Sequence, residues 1–187
     1  MNKKGLLASL HKLGVIQTGH FRLTSGLHSP EYVQCAKLFE RPQKASLVLQ
    51  DLLDRLPGGI ETVIAPAIGG ITVGYELARL LKCRFIFAER ENGRMALRRG
   101  FKISAGEKLL VAEDVVTTGG SVREVIDLIK TNGGSVLGVA AVMDRSGGQA
   151  AFRVPFWAAA ELNIEVYEPA SCPLCAADMP LTKPGSS

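Results

Sequence analysis

Aromatic residues are scarce, with seven phenylalanines, three tyrosines and one tryptophan making 6% of 187 residues. A surface that stacks single-stranded bases interleaves aromatic and basic side chains, and no such stretch occurs. The net charge of +4 and pI near 9.0 do not restore that reading. The positive charge crowds into Arg90–Lys102 with no recognition motif around it, so no nucleic-acid partner is expected. Long apolar runs are missing too. The longest, Val136–Met143 (VLGVAAVM), falls far short of the roughly 20 residues that cross a bilayer, so no membrane partner is expected. In the opening MNKKGLLASLHKLG, Ser9, His11 and Lys12 interrupt the apolar residues on a helical period. This reads as the amphipathic first helix of a cytoplasmic protein rather than as a signal peptide.

The four cysteines, at 35, 83, 172 and 175, set no disulfide framework, since nothing marks the chain for secretion. Cys172-Pro-Leu-Cys175 is a CxxC that stands alone, two ligands short of a tetrahedral zinc site. Ordinary thiols are its plainest reading, and a zinc site shared between chains or a redox pair are the others. Repeats and low-complexity segments are also lacking.

What the chain does have is the composition of a folded domain, 47% hydrophobic and 21% charged. Leu6, Leu10 and Leu13 share a helical face over residues 2–13. Val15–Lys37, broken by Gly19, Gly26 and Pro30, reads as a hairpin or irregular hood. Pro42–Leu56 carries a wide apolar stripe that Pro57-Gly58-Gly59 stops. Strands and helices then alternate. Strands are expected at Thr62–Ala65, Arg84–Ala88, Lys108–Ala112 and Ser135–Met143, and helices after Gly69-Gly70 and Gly119-Gly120. A polar, basic loop is expected after Ala88, and a loose tail from Thr182. The fold class is therefore α/β, a mostly parallel central sheet flanked by helices, with a small N-terminal hood. One domain is expected over 1–187: helix and hood in 1–40, core sheet in 60–145, and a C-terminal strand and tail in 146–187.

One stretch carries chemistry. In LLVAEDVVTTGGS, Leu109–Ala112 is a buried strand, Glu113 and Asp114 stand at its carboxyl end, and Thr117–Ser121 turn into a helix. Ligands of doubly wound folds sit at such strand ends. Glycines let the turn expose successive N–H groups, the helix N-terminus adds partial positive charge, and hydroxyls add donors, a set suited to a phosphate monoester. The two acids would repel phosphate but suit sugar hydroxyls or a developing ribose cation. Neither a Walker lysine nor GxGxxG spacing is present.

The run Glu113-Asp114-Val115-Val116-Thr117-Thr118-Gly119-Gly120-Ser121 resembles the phosphoribosyl-diphosphate signature of the type I phosphoribosyltransferases. Phe21–Pro30 (FRLTSGLHSP) resembles the N-terminal segment of the orotate phosphoribosyltransferases, and Arg145, closing Val142-Met143-Asp144-Arg145, stands where they keep an arginine for orotate. The resemblance runs along essentially the whole chain. It implies transfer of ribose 5-phosphate from phosphoribosyl diphosphate to orotate, in de novo pyrimidine synthesis, by a homodimer with magnesium. It makes Glu113 and Asp114 the catalytic acids, Arg90 and Glu113–Ser121 the donor site, and Thr117 and Arg145 the orotate contacts. No side chain is assigned as a metal ligand. Ala67–Gly70 would offer backbone N–H groups to the diphosphate. Ser25, Gly26, Tyr32 and Val33 would form the hood over the base, with His28 a solvated loop residue. The mobile loop of that family corresponds to Arg90–Arg99 (RENGRMALRR), which is short, and the lysines some members carry at positions 24 and 69 are absent. A purine phosphoribosyltransferase would share the signature without needing Arg145. A regulator that keeps the fold and binds RNA or DNA is the reading from another class.

Overall fold

Short apolar runs, those at the centre buried on both faces, build one six-stranded sheet in a computed structural model that describes residues 3–184. The order is β5-β4-β3-β6-β7-β8, from β3 (Thr62–Pro66), β4 (Arg84–Glu91), β5 (Arg94–Leu97), β6 (Lys108–Val116), β7 (Ser135–Asp144) and β8 (Phe156–Glu161). All neighbours are parallel except the β4–β5 hairpin at one edge. Successive side chains on a strand point to opposite faces, so Leu109 and Leu110 enter different cores. On one face Leu110 and Ala112 meet α1 (Lys3–Lys12), α3 (Pro42–Leu53) and α4 (Gly70–Leu81), through Leu10, Leu49 and Leu77. On the other, Leu109 and Val111 meet Val122, Val125, Ile126 and Ile129 of α5 (Gly120–Thr131). Each fully buried aliphatic side chain contributes about 1.5–3 kcal/mol. Among the described residues no helix is long and apolar enough to cross a membrane.

The hood is an antiparallel hairpin of β1 (Ile16–Arg22) and β2 (His28–Val33), followed by the short α2 (Ala36–Phe39). The C-terminal chain completes it. Residues His28 and Tyr167 exchange backbone hydrogen bonds of 2.9 Å, and Thr182 donates to the His20 carbonyl and accepts from the Arg22 N–H, each at 2.8 Å. Thr182 is therefore held by the hood rather than loose, while residues 185–187 lie outside the described residues, as do Met1 and Asn2. Between these pairings sits α6 (Pro173–Ala176).

Three element boundaries depart from sequence expectation by more than one residue. The helix expected over Pro42–Leu56 ends at Leu53. β6 does not stop at Ala112: Glu113, Val115 and Val116 stay in register with Ala141, Met143 and Asp144 of β7, so both acids lie within the strand. The basic stretch Arg90–Arg99 is mostly the β4–β5 hairpin, turning at Asn92 and Gly93 with φ of 50° and 80°. That is the Asn-Gly turn that suits a two-residue hairpin, embedded here in charged neighbours.

Candidate active site

Glu113 and Asp114 enter the site from the carboxyl half of β6. Glu113 is 8% exposed, and its Oε1 accepts the Asp114 N–H at 3.1 Å, while Asp114 Oδ1 accepts the Val115 N–H at 2.7 Å. Burial, reinforced by the neighbouring Asp114 charge, pushes the Glu113 carboxyl up to about 8. A carboxyl in that state stays largely protonated near neutrality until a cation faces it.

The chain then turns through Thr117 and Thr118, both exposed, into α5. Gly119 has a left-handed φ of 73°, and a Cβ there would lie 2.6 Å from the Phe152 ring, so both backbone and packing require glycine. Arg123 pins the turn: its Nη2 donates to the Thr118 carbonyl at 2.6 Å and its N–H to that of Gly119 at 3.0 Å. The first N–H groups of α5 have no intrahelical acceptor, which makes this helix start a natural anion seat. A cleft of about 220 Å³ opens here, lined by Arg90, Glu113, Val115–Val122 and Glu124. Of the residues expected at the donor site, Asp114 does not line it.

Asp114 faces the start of α4, where a Cβ on Gly69 would stand 2.6 Å from its Oδ2. A side chain at position 69 would require the Asp114 carboxylate to move. Cys35 donates its thiol to the Asp114 carbonyl at 3.6 Å. Burial, then the charges of Asp114 and Glu113, push that thiol well above its ordinary value, so it is no ready nucleophile.

Arg145 follows β7 and donates its N–H to the Val116 carbonyl at 2.8 Å. Burial pulls its guanidinium below the ordinary arginine value, against the opposing influence of Tyr32, Cys35 and Glu31. Its Nε is buried with no hydrogen-bond partner among the described residues. A buried donor left unpaired costs about 1–3 kcal/mol.

Other expected contacts fall elsewhere. The Ala67 N–H is committed to the Ala88 carbonyl at 2.8 Å, so it is not free for a diphosphate; the peptide bond that follows it is cis. Arg90 lines the cleft, but its fork closes on Glu124 at 3.0 and 2.8 Å. Arg99 is forked onto Glu89 at 2.7 and 2.9 Å, and Arg98 lies 3.6 Å from Glu91. Ser25 is exposed at the hood tip, and Tyr32 lies on the side of Arg145. Val33 is packed into the core rather than over a base. His28 is buried, not solvated, because the C-terminal segment covers it. Arg123 and His20 escape sequence reasoning: a lone basic residue on a helix and a histidine in a strand carry no local signal.

A strand-turn-helix whose first helical N–H groups open onto a cleft beside two acids defines a class of protein. A family model described as phosphoribosyl transferase domain matches residues 43–169, and the chain belongs to that family. Its relatives narrow the class. An orotate phosphoribosyltransferase of Caldicellulosiruptor saccharolyticus is 49% identical over 187 residues, covering 100% of this chain and 98% of that one. One from Thermotoga maritima is 52% identical over 178 residues, covering 95% of each. The crystal structure of orotate phosphoribosyltransferase from Aeropyrum pernix superposes with a TM-score of 0.71 at 27% identity, over 84% of this chain and 93% of that one.

Proposed function

We infer that the protein is an orotate phosphoribosyltransferase, transferring ribose 5-phosphate from phosphoribosyl diphosphate to orotate in de novo pyrimidine synthesis. The observation that carries the choice of base is Arg145, a half-buried guanidinium with an unpartnered Nε on the side of Tyr32. Orotate brings a carboxylate, which a planar fork binds bidentately. Thr117, exposed at the cleft, is proposed as a second contact to the ring.

The turn Thr117–Ser121 seats the 5-phosphate on N–H groups and hydroxyls. Glu113 and Asp114 hold the ribose hydroxyls. As the bond from the anomeric carbon breaks, diphosphate leaves with the bonding pair. The orotate ring nitrogen bonds to that carbon and gives up its proton to the leaving diphosphate or to solvent, and the two carboxylates stabilise the positive charge that develops on the sugar. Ionisation of Glu113, opposed in the free protein, becomes favourable against that charge. The donor set also fits magnesium: the carboxylates of Glu113, which lines the cleft, and of its neighbour Asp114 are hard oxygens that would hold the ion together with substrate phosphates. When bound, magnesium neutralises the leaving diphosphate.

A homodimer is the proposed assembly, supported by Ile68 and Tyr75, 86% and 62% exposed just before and within α4. A solution mass equal to the 20.0 kDa chain would refute it. Four free cysteines support a reducing, cytoplasmic compartment. The test of function follows orotate absorbance with phosphoribosyl diphosphate and magnesium. Turnover of adenine or hypoxanthine without loss of orotate would overturn the reading.

A further inference from the structure

The CxxC that lacks two ligands in sequence finds them in space. His20 on β1 and His28 on β2 meet Cys172 and Cys175 at α6, and the four donor atoms lie within 4.8 Å of one another. His20 Nε2 is 2.9 Å from His28 Nδ1, 3.6 Å from Cys172 Sγ and 3.8 Å from Cys175 Sγ, and His28 Nδ1 is 3.3 Å from Cys175 Sγ. Zinc bonds of about 2.0–2.1 Å to nitrogen and 2.3 Å to sulfur imply tetrahedral edges of roughly 3.3–3.8 Å. The four spacings lie within about 0.5 Å of these edges, and the widest donor pair of the cluster, at up to 4.8 Å, has to close by about 1 Å.

We propose that His20, His28, Cys172 and Cys175 form a structural zinc site that staples the hood to the C-terminal segment. The outer shell supports it. His20 Nδ1 lies 2.8 Å from the Met179 carbonyl, so its proton belongs there and Nε2 turns a lone pair to the cluster. A ligating histidine is usually oriented in this way. His20, His28 and Cys172 are 3%, 6% and 3% exposed, while Cys175 reaches solvent and gives the ion a way in. Two thiols release their protons to solvent on binding, and two thiolates with two neutral imidazoles then leave a Zn²⁺ centre with no net charge. Four protein ligands close the shell, so the ion has no open position for catalysis. The site shares no residue with the turn after β6. Its effect on the hood is mechanical, since Tyr32 lies on the same strand as His28.

The test needs no substrate. Reduced, chelator-stripped full-length protein is titrated with Co²⁺ as a spectroscopic stand-in for Zn²⁺. Expected are intense tetrahedral d–d bands and a thiolate-to-cobalt band that saturate at equimolar metal and are bleached by added Zn²⁺. Zinc should also slow alkylation of Cys172 and Cys175 by about tenfold or more and raise the melting temperature. Cys172→Ser and His20→Gln should abolish the saturating spectrum, and Cys83→Ser should leave it intact. A weak octahedral spectrum from the unmutated protein, or thiols alkylated equally fast with and without zinc, would overturn the proposal. So would a Cys172–Cys175 disulfide that forms in air despite equimolar zinc.

Discussion

The turn after β6 reads, in sequence, as a phosphate site rich in glycine and hydroxyls, and the arginine-rich stretch after β4 as a closing loop in which Arg90 contacts the donor. The structure separates them. The turn keeps its donors free among the described residues, because the first N–H groups of a helix have no partner in the helix. The hairpin commits its charge: Arg90 to Glu124, Arg99 to Glu89, Arg98 to Glu91. A seat for an anion is thus made by uncommitted donors, not by a count of positive residues. Arg145 belongs with the turn in this respect, since its Nε is buried and unpartnered.

The strongest way to break the contrast is to remove that uncommitted guanidinium. Arg145→Ala should raise the KM for orotate about ten- to a hundredfold, the equivalent of a charge-assisted hydrogen bond worth roughly 1.5–3 kcal/mol. The KM for phosphoribosyl diphosphate should stay nearly constant, and Arg145→Lys should rescue only in part. Equal loss for both substrates would show that Arg145 supports the fold rather than the base. Gly119→Ala is the mirror experiment. A Cβ in a left-handed backbone against Phe152 should raise the KM for the diphosphate donor about tenfold and lower the melting temperature by several degrees, as overpacking of about 1–3 kcal/mol does. Orotate affinity should change little.

A smaller effect concerns the acid beside the turn. Unfolded, Glu113 ionises near its ordinary value; folded, it holds its proton up to about 8. Between those pH values the native state binds a proton that the unfolded chain has lost, so stability falls as pH rises through this window. Below the window both states are protonated and nothing is lost. Glu113→Gln should flatten this part of the profile, seen as urea midpoints that converge between about pH 5 and pH 8. A slope unchanged by the substitution would assign it to other groups.

The same contrast explains what is legible in the sequence. The strands and helices around β6 stand out because their apolar period is local, and Leu109–Val116 with Thr117–Ser121 places strand, acids and seat in one contiguous run. The hairpin at Asn92-Gly93 is hidden because its turn signal sits among charges rather than between alternating apolar residues. Arg90 and Glu124 are partners across 34 positions, and no pattern in either segment announces the pair. His28 reads as a loop residue for the same reason, since the chain that buries it arrives at Tyr167 and Cys175. Local physics reveals what an element is, and long-range contacts decide which of its charges remain free.

Glu124→Ala tests that last point with the smallest expected change. The pair is partly exposed, so its loss should cost at most about 1 kcal/mol and hardly move the melting temperature. It would, however, leave the Arg90 charge without a countercharge beside the cleft, its Nη1 still held by the Gly93 carbonyl at 2.8 Å. The KM for phosphoribosyl diphosphate should then fall a few-fold at low salt, and the gain should fade as ionic strength shortens the screening length towards about 8 Å. A rise in KM would carry the opposite meaning: Glu124 would be holding the Arg90 fork at the angle the diphosphate needs. In that case the hairpin, too, would be a built anion seat, and the contrast with the turn would narrow to how each holds its donors in place.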